Sequence, residues 1–419
     1  KLQDMIGASS IVHTALFENI PEMLGKPNWA RESILSKQNN GEFRGDLVSI
    51  GGGNARLRFD CCQDEKIFTR ELCKRVYEQS GGSIRLCSAS VLLDETKTLA
   101  ENQKALMAKL DDNKRAAGNM HPFVGLSVTA QDSNHYEPIV FYETGCDTKG
   151  GHCKKKEYER LKNIKNSDDG VAFWQAVEFE KFRGNGKNYL AIIHIDGNTM
   201  GVMIRNFVQK LNYPILDSME KFKQLSLSIS SLYKDVLTET MQELYAGCQG
   251  EIPFRTIVAD GDDITVIIES KNAFSFVKTF MQNLTQKGHQ YFENFTPTAA
   301  AGVAFVKLKF PFYTAYNIAE ACCKNAKKVT LERYGVAKNS MDFQVCYSGL
   351  TSNISRFRAN NYAKLYRGQQ YRLAKRPYIF EDGDPYSFDV LENIAKEMIV
   401  SADQSMARNK LKALRNAYG

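Results

Sequence analysis

Residues 260–263, Asp-Gly-Asp-Asp, put three carboxylates into four positions, between the apolar runs at 255–259 and 264–268. Asp-Gly between β-branched runs is a strong hairpin signal, because Gly accepts positive φ and Asp bonds the turn backbone. That accounts for one acid. Like charges about 4 Å apart repel by roughly 4 kcal/mol at an effective dielectric near 20, and a divalent cation removes that conflict. Asp196 ends a strand-like run, LAIIHID at 190–196, that is expected beside this hairpin. Asp196, Asp262 and Asp263 then converge on one sheet edge as candidate metal ligands and catalytic acids. Mg²⁺ or Mn²⁺ is the expected ion, since hard cations take a few carboxylate oxygens plus substrate phosphates and water. Two such ions stabilise both the attacking and the leaving oxygen of an in-line phosphoryl displacement. Nucleotidyl transfer suits this set.

The turn DGNTMG at 196–201 adds a second element. Gly197 lets backbone approach a ligand, and a helix begins near Thr199, where free N–H groups favour phosphate. Gly197, Asn198, Thr199 and Gly261 are therefore candidate nucleotide-binding positions. The blander reading of this turn alone is a strand-turn-helix junction with Asn198 as N-cap. Lys324, Lys327 and Lys328 fall within about one helical turn and offer charge for a phosphate end, although lysines more often coat a solvated helix face. The glycine hairpin at 51–54 presents backbone amides and one neutral side chain, so no metal site is expected there. Cys146, His152 and Cys153 could supply three zinc ligands, but no fourth is regularly spaced, and a loop with incidental cysteines is the preferred reading.

These residues must be positioned by ordered elements. The 419 residues, 43% hydrophobic and 25% charged, describe an ordinary folded chain of two or three domains. Its net charge of +7 is compatible with a nucleotide or RNA partner. The ten cysteines contain no C-x-x-C pattern, which favours reduced thiols. No apolar run approaches the roughly 20 residues of a membrane span and no signal-peptide pattern opens the chain, so the reading is cytoplasmic, without membrane contact.

Periodicity predicts an opening helix that stops at Pro21, a strand-turn-strand over 45–59, a helix over 65–77, a strand over 84–93 and a charged helix over 95–115. A connector follows at 117–187. Then come a strand ending at 195, helices to 211 and over 218–245, the acidic hairpin, a helix over 273–284, an apolar strand at 297–308 and a helix over 312–329. The order βααββαβα implies an α+β fold with a ferredoxin-like palm. The hairpin VSIGGGNARLRF lies 209 residues before IVADGDDITVII, and each precedes a helix and a small-residue strand, CSASVLL or AAGVAFV. Internal duplication is the economical reading. The expected domains are a degenerate first palm at 1–116, the connector at 117–187, a second palm at 188–337 and a helical C-terminal domain at 338–419.

The pieces IGASSIV, SIGGGNARLRF, HIDGNTMG, VADGDD, AAGVAFVKLKFP, AEACCKNAKK and KRPYIF, in this order, resemble the palm polymerase/cyclase family typified by the large subunit of type III CRISPR effector complexes. More distantly, the chain is similar to diguanylate cyclases. The resemblance implies paired palm domains, a helical C-terminal domain, and conversion of ATP or another nucleoside triphosphate to cyclic oligonucleotide messengers in antiviral defence. It implies metal ligation by Asp196, Asp262 and Asp263, phosphate contact by Lys327, and as partners RNA, other subunits of a CRISPR-like complex, or a second copy. The chain departs from the pattern in three ways. Asp260 stands where the family's motif has Gly, no His-Asp dipeptide marks a nuclease domain, and the first palm lacks acids and an opening strand, which residues upstream of Lys1 are expected to supply. Two functions compete: a nucleotide cyclase, and a non-catalytic palm subunit that binds RNA, protein or nucleotide.

Overall fold

The computed structural model describes residues 2–35, 43–117, 149–163, 173–176, 178–182, 188–292, 295–346, 354–366, 369–372 and 374–400. They form two compact units, one from 1–166 with 200–231 and the other from 167–199 with 232–419.

In the first unit, helices α1 (Leu2–His13) and α2 (Ile20–Met23) flank a π-helical stretch, Thr14–Asn19, and Pro21 lies in the first turn of α2. Strands β1 (Gly45–Gly51) and β2 (Asn54–Phe59) make an antiparallel hairpin, followed by α3 (Cys62–Gln79) and α4 (Leu99–Ala117). A reciprocal capping box starts α4: Glu101 Oε2 accepts from the Thr98 N–H at 2.9 Å, and Thr98 Oγ1 accepts from the Glu101 N–H at 3.3 Å. Helix α5 (Lys149–Asn163) packs on α1 at Gly7, where a Cβ would stand 2.1 Å from the Lys154 carbonyl oxygen. The core of this unit joins Leu16, Ile20, Leu24, Leu47, Ile50, Phe68 and Val76.

The strand expected over 84–93 does not form. The segment lies beside α4, where Asn113 Nδ2 donates to the Ser88 carbonyl at 2.8 Å and Lys109 Nζ to the Ser90 carbonyl at 2.7 Å. Val91, Leu92 and Leu93 stay exposed. A β-pattern becomes a strand only beside a partner, and among the described residues the sheet here has two strands, β1 and β2.

The chain continues through β3 (Phe173–Gln175) and β4 (Tyr189–Gly197) to α6 (Met200–Lys210) and α7 (Ile215–Leu244), whose residues up to Ser231 belong to the first unit. Then follow β5 (Gly250–Ile252), β6 (Phe254–Asp260), β7 (Asp263–Glu269), α8 (Ala273–Tyr291), β8 (Ala299–Lys307) and α9 (Phe312–Tyr334). Helix α9 stops at Gly335, whose φ of 73° closes a left-handed cap that side chains disfavour. The last described elements are β9 (Ser340–Val345), α10 (Ile354–Tyr362), the hairpin β10 (Ala363–Tyr366) with β11 (Gln369–Arg372), β12 (Tyr378–Ile379) and α11 (Phe388–Val400).

Six strands of the second unit form one sheet in the order β12-β9-β8-β4-β7-β6. The apolar strands β4 and β8 lie inside it, and every residue of β8 before Lys307 is buried. Together β4, β6, β7 and β8 make the antiparallel palm that the element order implies. Past residue 337 the chain adds β9 parallel to β8 and, after α10 and the β10/β11 hairpin, β12 beside β9. Buried Asp342 and Gln344 on β9 disguise this strand as polar sequence.

The two hairpins share more than spacing. The pair β1/β2 skips Val48 and closes on Gly51 opposite Asn54, while β6/β7 skips Ile257 and closes on Asp260 opposite Asp263. The bulge and the closing pair recur at the same offset of 209, as a duplicated hairpin requires.

Helix α9 approaches the sheet at Gly302. A Cβ there would lie 1.9 Å from the Ala319 carbonyl oxygen and 2.4 Å from the Cys323 nitrogen. Gly302→Ala should force α9 away from β8 and lower stability by about 1–3 kcal/mol or more, read as a reduced denaturant midpoint. An unchanged midpoint would contradict the close approach.

Candidate active site

Antiparallel register decides which side chains meet. On β4, Asp196 pairs directly with Asp263 of β7, and His194 with Thr265. Residues two apart share a face, so His194, Asp196, Asp263 and Thr265 stand on the side that α9 covers at Gly302. Asp262 occupies the two-residue turn after Gly261, whose φ is 63°. The backbone N–H of Gly197 donates to the Asp262 carbonyl at 3.2 Å and ties the turn to the end of β4. All three expected acids are thus brought to one edge of the sheet, with Asp260 opposite Asp263 as a fourth.

Lys327 comes down from α9 onto this edge. Its ammonium lies 2.6 Å from Asp196 Oδ2 and donates to the Gly197 carbonyl at 2.7 Å. Tyr316, Glu320, Cys323 and Lys327 follow helical spacing along α9 and so share a stripe. Lys324, by contrast, pairs with Glu320 at 2.9 Å, and Lys328 with Glu332 at 3.8 Å, both with largely exposed side chains.

Burial first, then the charge of Asp196, pushes the Asp262 carboxyl up to about 6, against the pull of Lys327. Burial, Asp196 and Asp262 likewise raise Asp263 to about 7. The Asp263 side chain keeps 41% of its surface, yet its Oδ1 is buried and accepts no hydrogen bond, so the two carboxylate oxygens have different surroundings. His194 Nδ1 lies 3.4 Å from that oxygen and 3.1 Å from Thr265 Oγ1. Burial lowers the pKa of His194, which favours neutral imidazole at pH 7. Tyr233 on α7 is a further buried group: its hydroxyl has no hydrogen-bond partner, and its pKa is raised by burial and then by Asp262 and Asp196.

Asp196, Asp262 and Asp263 supply hard-oxygen donors of the kind a divalent cation takes, with a buried Asp263 oxygen that accepts no hydrogen bond, but among the described residues the donor atoms within 4.8 Å of one another are those of His194, Asp196 and Cys323. The glycine hairpin does not fit a divalent cation. It has no carboxylate, and Asn54 Nδ2 is spent on the Gly52 carbonyl at 2.7 Å. Alanine in place of Asn54 should leave Mn²⁺ binding unchanged in calorimetry; weaker binding would assign this hairpin a ligand.

The nucleotide candidates fare differently. Thr199 is exposed and, with φ at 56°, adopts a left-handed conformation unusual for a β-branched residue. Such strain costs about 1–3 kcal/mol and clusters at functional sites. Asn198 turns away from this role. Its buried amide donates to Thr298 Oγ1 and to the Lys338 carbonyl, both at 3.0 Å, anchoring the end of β4 beside the start of β8. Periodicity overlooked His194, Tyr316, Cys323 and Tyr233, although His194, two residues before Asp196 on a strand, was placed on the same face by alternation alone. Of the zinc candidates, Cys146 and the His152 side chain lie outside the described residues.

The sheet order and the acidic hairpin define a palm domain. Residues 189–337 match the family profile described as Cas10/Cmr2, second palm domain. Over these residues the chain is therefore similar to the second palm domain of Cas10/Cmr2 proteins, in line with the resemblance carried by its sequence. No curated protein matches it. Among solved structures it is similar to a Csm1–Csm4 cassette in complex with cA4, at 13% identity and a TM-score of 0.52 over 100% of this chain and 59% of that one. It is also similar to Csm1 of T. onnurineus, at 13% identity and a TM-score of 0.44 over 88% of this chain and 55% of that one. The chain thus spans less than two thirds of these structures. Among the described residues, no helix is long and apolar enough to cross a membrane.

Proposed function

We propose that this chain is a metal-dependent nucleotidyltransferase that converts ATP or another nucleoside triphosphate into a cyclic oligonucleotide or dinucleotide messenger in antiviral defence. One observation carries the reading: Asp196 and Asp263 face each other across β4 and β7, with Asp262 at the adjoining turn, inside a Cas10/Cmr2-type palm. The similar fold of a Csm1–Csm4 cassette in complex with cA4 supports a cyclic nucleotide as product.

In this reading a ribose 3′-hydroxyl attacks an α-phosphate, the bond to the β-phosphate breaks and pyrophosphate leaves. Bound Mg²⁺ or Mn²⁺ would stabilise the attacking and leaving oxygens. Asp196, Asp262 and Asp263 would hold the ions. Lys327, paired with Asp196 at 2.6 Å, serves the phosphates once that carboxylate is engaged elsewhere. Gly197, Thr199 and Gly261 offer backbone to the triphosphate, and Asn198 holds their strand in place. RNA, further subunits of a CRISPR-like complex, or a second copy are the proposed partners.

Incubating the protein with each nucleoside triphosphate and Mg²⁺ or Mn²⁺, with and without RNA, should yield cyclic or linear oligonucleotides by mass spectrometry. A second reading, a non-catalytic nucleotide- or RNA-binding subunit, is favoured by Asp260, which adds a carboxylate opposite Asp263 where the family motif has Gly. No product under any of these conditions, with acid-to-amide variants still functional in cells, would select it.

A further inference from the structure

Beside the oxygen ligands lies a second donor set of different chemistry. His194 on β4, Asp196 on the same face of the same strand and Cys323 on α9 offer one nitrogen, one oxygen and one sulfur, all within 4.8 Å of one another. We propose that His194, Cys323 and Asp196 form a binding site for a thiophilic divalent ion of the zinc class, separate in its donors from the magnesium site and sharing only Asp196 with it.

The choice of ion follows from the donors. Thiolate and imidazole favour zinc and its late first-row neighbours, whereas Mg²⁺ and Ca²⁺ take oxygen. Tetrahedral zinc with Zn–S of about 2.3 Å and Zn–N of about 2.0 Å holds its ligand atoms about 3.4–3.6 Å apart. From separations of up to 4.8 Å the donors need to close by at most about 1.2–1.4 Å, within reach of side-chain adjustment. Lys327 holds Asp196 Oδ2, which leaves Oδ1 as the third donor. Water or substrate would take the fourth position. Cys323 is 1% exposed and His194 5%, while the Asp196 side chain at 41% opens the site to solvent and supplies an entry path.

The surroundings match those of a metal-bound histidine, whose second ring nitrogen commonly donates to a carboxylate or hydroxyl. Here Nδ1 faces both Thr265 Oγ1 at 3.1 Å and the partnerless Asp263 Oδ1 at 3.4 Å. With the proton on Nδ1, the lone pair sits on Nε2, which would then be the ligating nitrogen. Binding breaks the Cys323 S–H bond, forms a sulfur–metal bond and releases one proton to water, at the loss of the 3.2 Å hydrogen bond from Cys323 to the Ala300 carbonyl. No oxidant or reductant is involved. Because Asp196 serves both sets, a zinc-class ion should antagonise magnesium-dependent product formation. This consequence rests on the proposed transferase reading; the binding itself does not.

Cobalt(II) titration of the full chain, under argon with a non-thiol reductant, reads the site directly. The expected result is one equivalent bound with thiolate-to-cobalt charge-transfer absorption in the near ultraviolet, bleached by Zn²⁺. Cys323→Ser, which keeps a donor for the Ala300 carbonyl, should abolish the band. Thr265→Val should retain it with affinity lowered about 10–100-fold. Absence of the band in the parent protein would overturn the proposal, as would a band undiminished in Cys323→Ser, which would place it on an exposed thiol such as Cys61, Cys62 or Cys248. Asp262→Asn separates the two readings: it should lose product formation while keeping the cobalt band.

Discussion

Replacing Asp262 and Asp263 together by asparagine should cut product formation by about 10³-fold or more, the scale expected when electrostatic stabilisation of a phosphoryl transition state is removed. The fold should survive, because asparagine keeps the size and turn-forming ability of aspartate. In the absence of divalent ions the variant should melt higher than the parent. Both carboxyls titrate above their ordinary value in the folded protein, to about 6 and about 7. The fold thus favours their protonated forms, so their stabilising contribution is complete below about pH 4 and is lost as pH rises through about 6 to 7. The melting advantage of the double variant should therefore be small at pH 4 and largest near pH 8. Added Mn²⁺ should raise the melting temperature of the parent and leave the variant unmoved. Melting curves at both pH values, with mass spectrometry of products, test all three statements. A variant that still makes product at the parental rate would remove these acids from the chemistry.

Asp342→Asn should be the most destabilising single change in the second unit, by about 3–5 kcal/mol, because it leaves buried guanidinium charge without its counter-ion. Asp342 on β9 is fully buried. Arg358 of α10 reaches both its oxygens, with Nη1 at 2.5 Å and Nη2 at 3.1 Å, and Asn325 of α9 donates to it at 2.7 Å. Arg376 approaches within 4.0 Å, its guanidinium 5.0 Å from the ring centroids of both Phe343 and Tyr362. One carboxylate thus gathers α9, α10 and the segment leading to β12. Urea denaturation would show the loss as a lower midpoint, and limited proteolysis should cut first between 354 and 380. A midpoint equal to that of the parent would mean that the two arginines are held by something other than Asp342.

How far the chain could be read before its tertiary structure was known depends on how local the information is. Alternation along 190–196, Gly at the head of a two-residue turn and the spacing of two matching hairpins are local properties. From them follow the palm, the convergence of Asp196, Asp262 and Asp263 on one edge, and the duplication whose bulges fall at Val48 and Ile257. The strand expected over 84–93 had the right local pattern and still did not form, because a strand is a property of two segments. Strand β9 alternates polar and apolar residues as a strand does, but its polar positions are buried rather than solvated, because Asp342 is neutralised by Arg358 and approached by Arg376.

The site divides in the same way. The types of its acids, and the face on which His194 and Asp196 stand, were determined by sequence alone, since side chains on a strand repeat every two residues. That Asn198 is spent on Thr298 and Lys338, that Lys327 closes on Asp196, and that Cys323 comes within ligand distance of His194 were decided only in three dimensions. Those contacts depend on how near α9 lies to the sheet. That distance is set where the backbone of the helix meets a residue without a side chain, at Gly302.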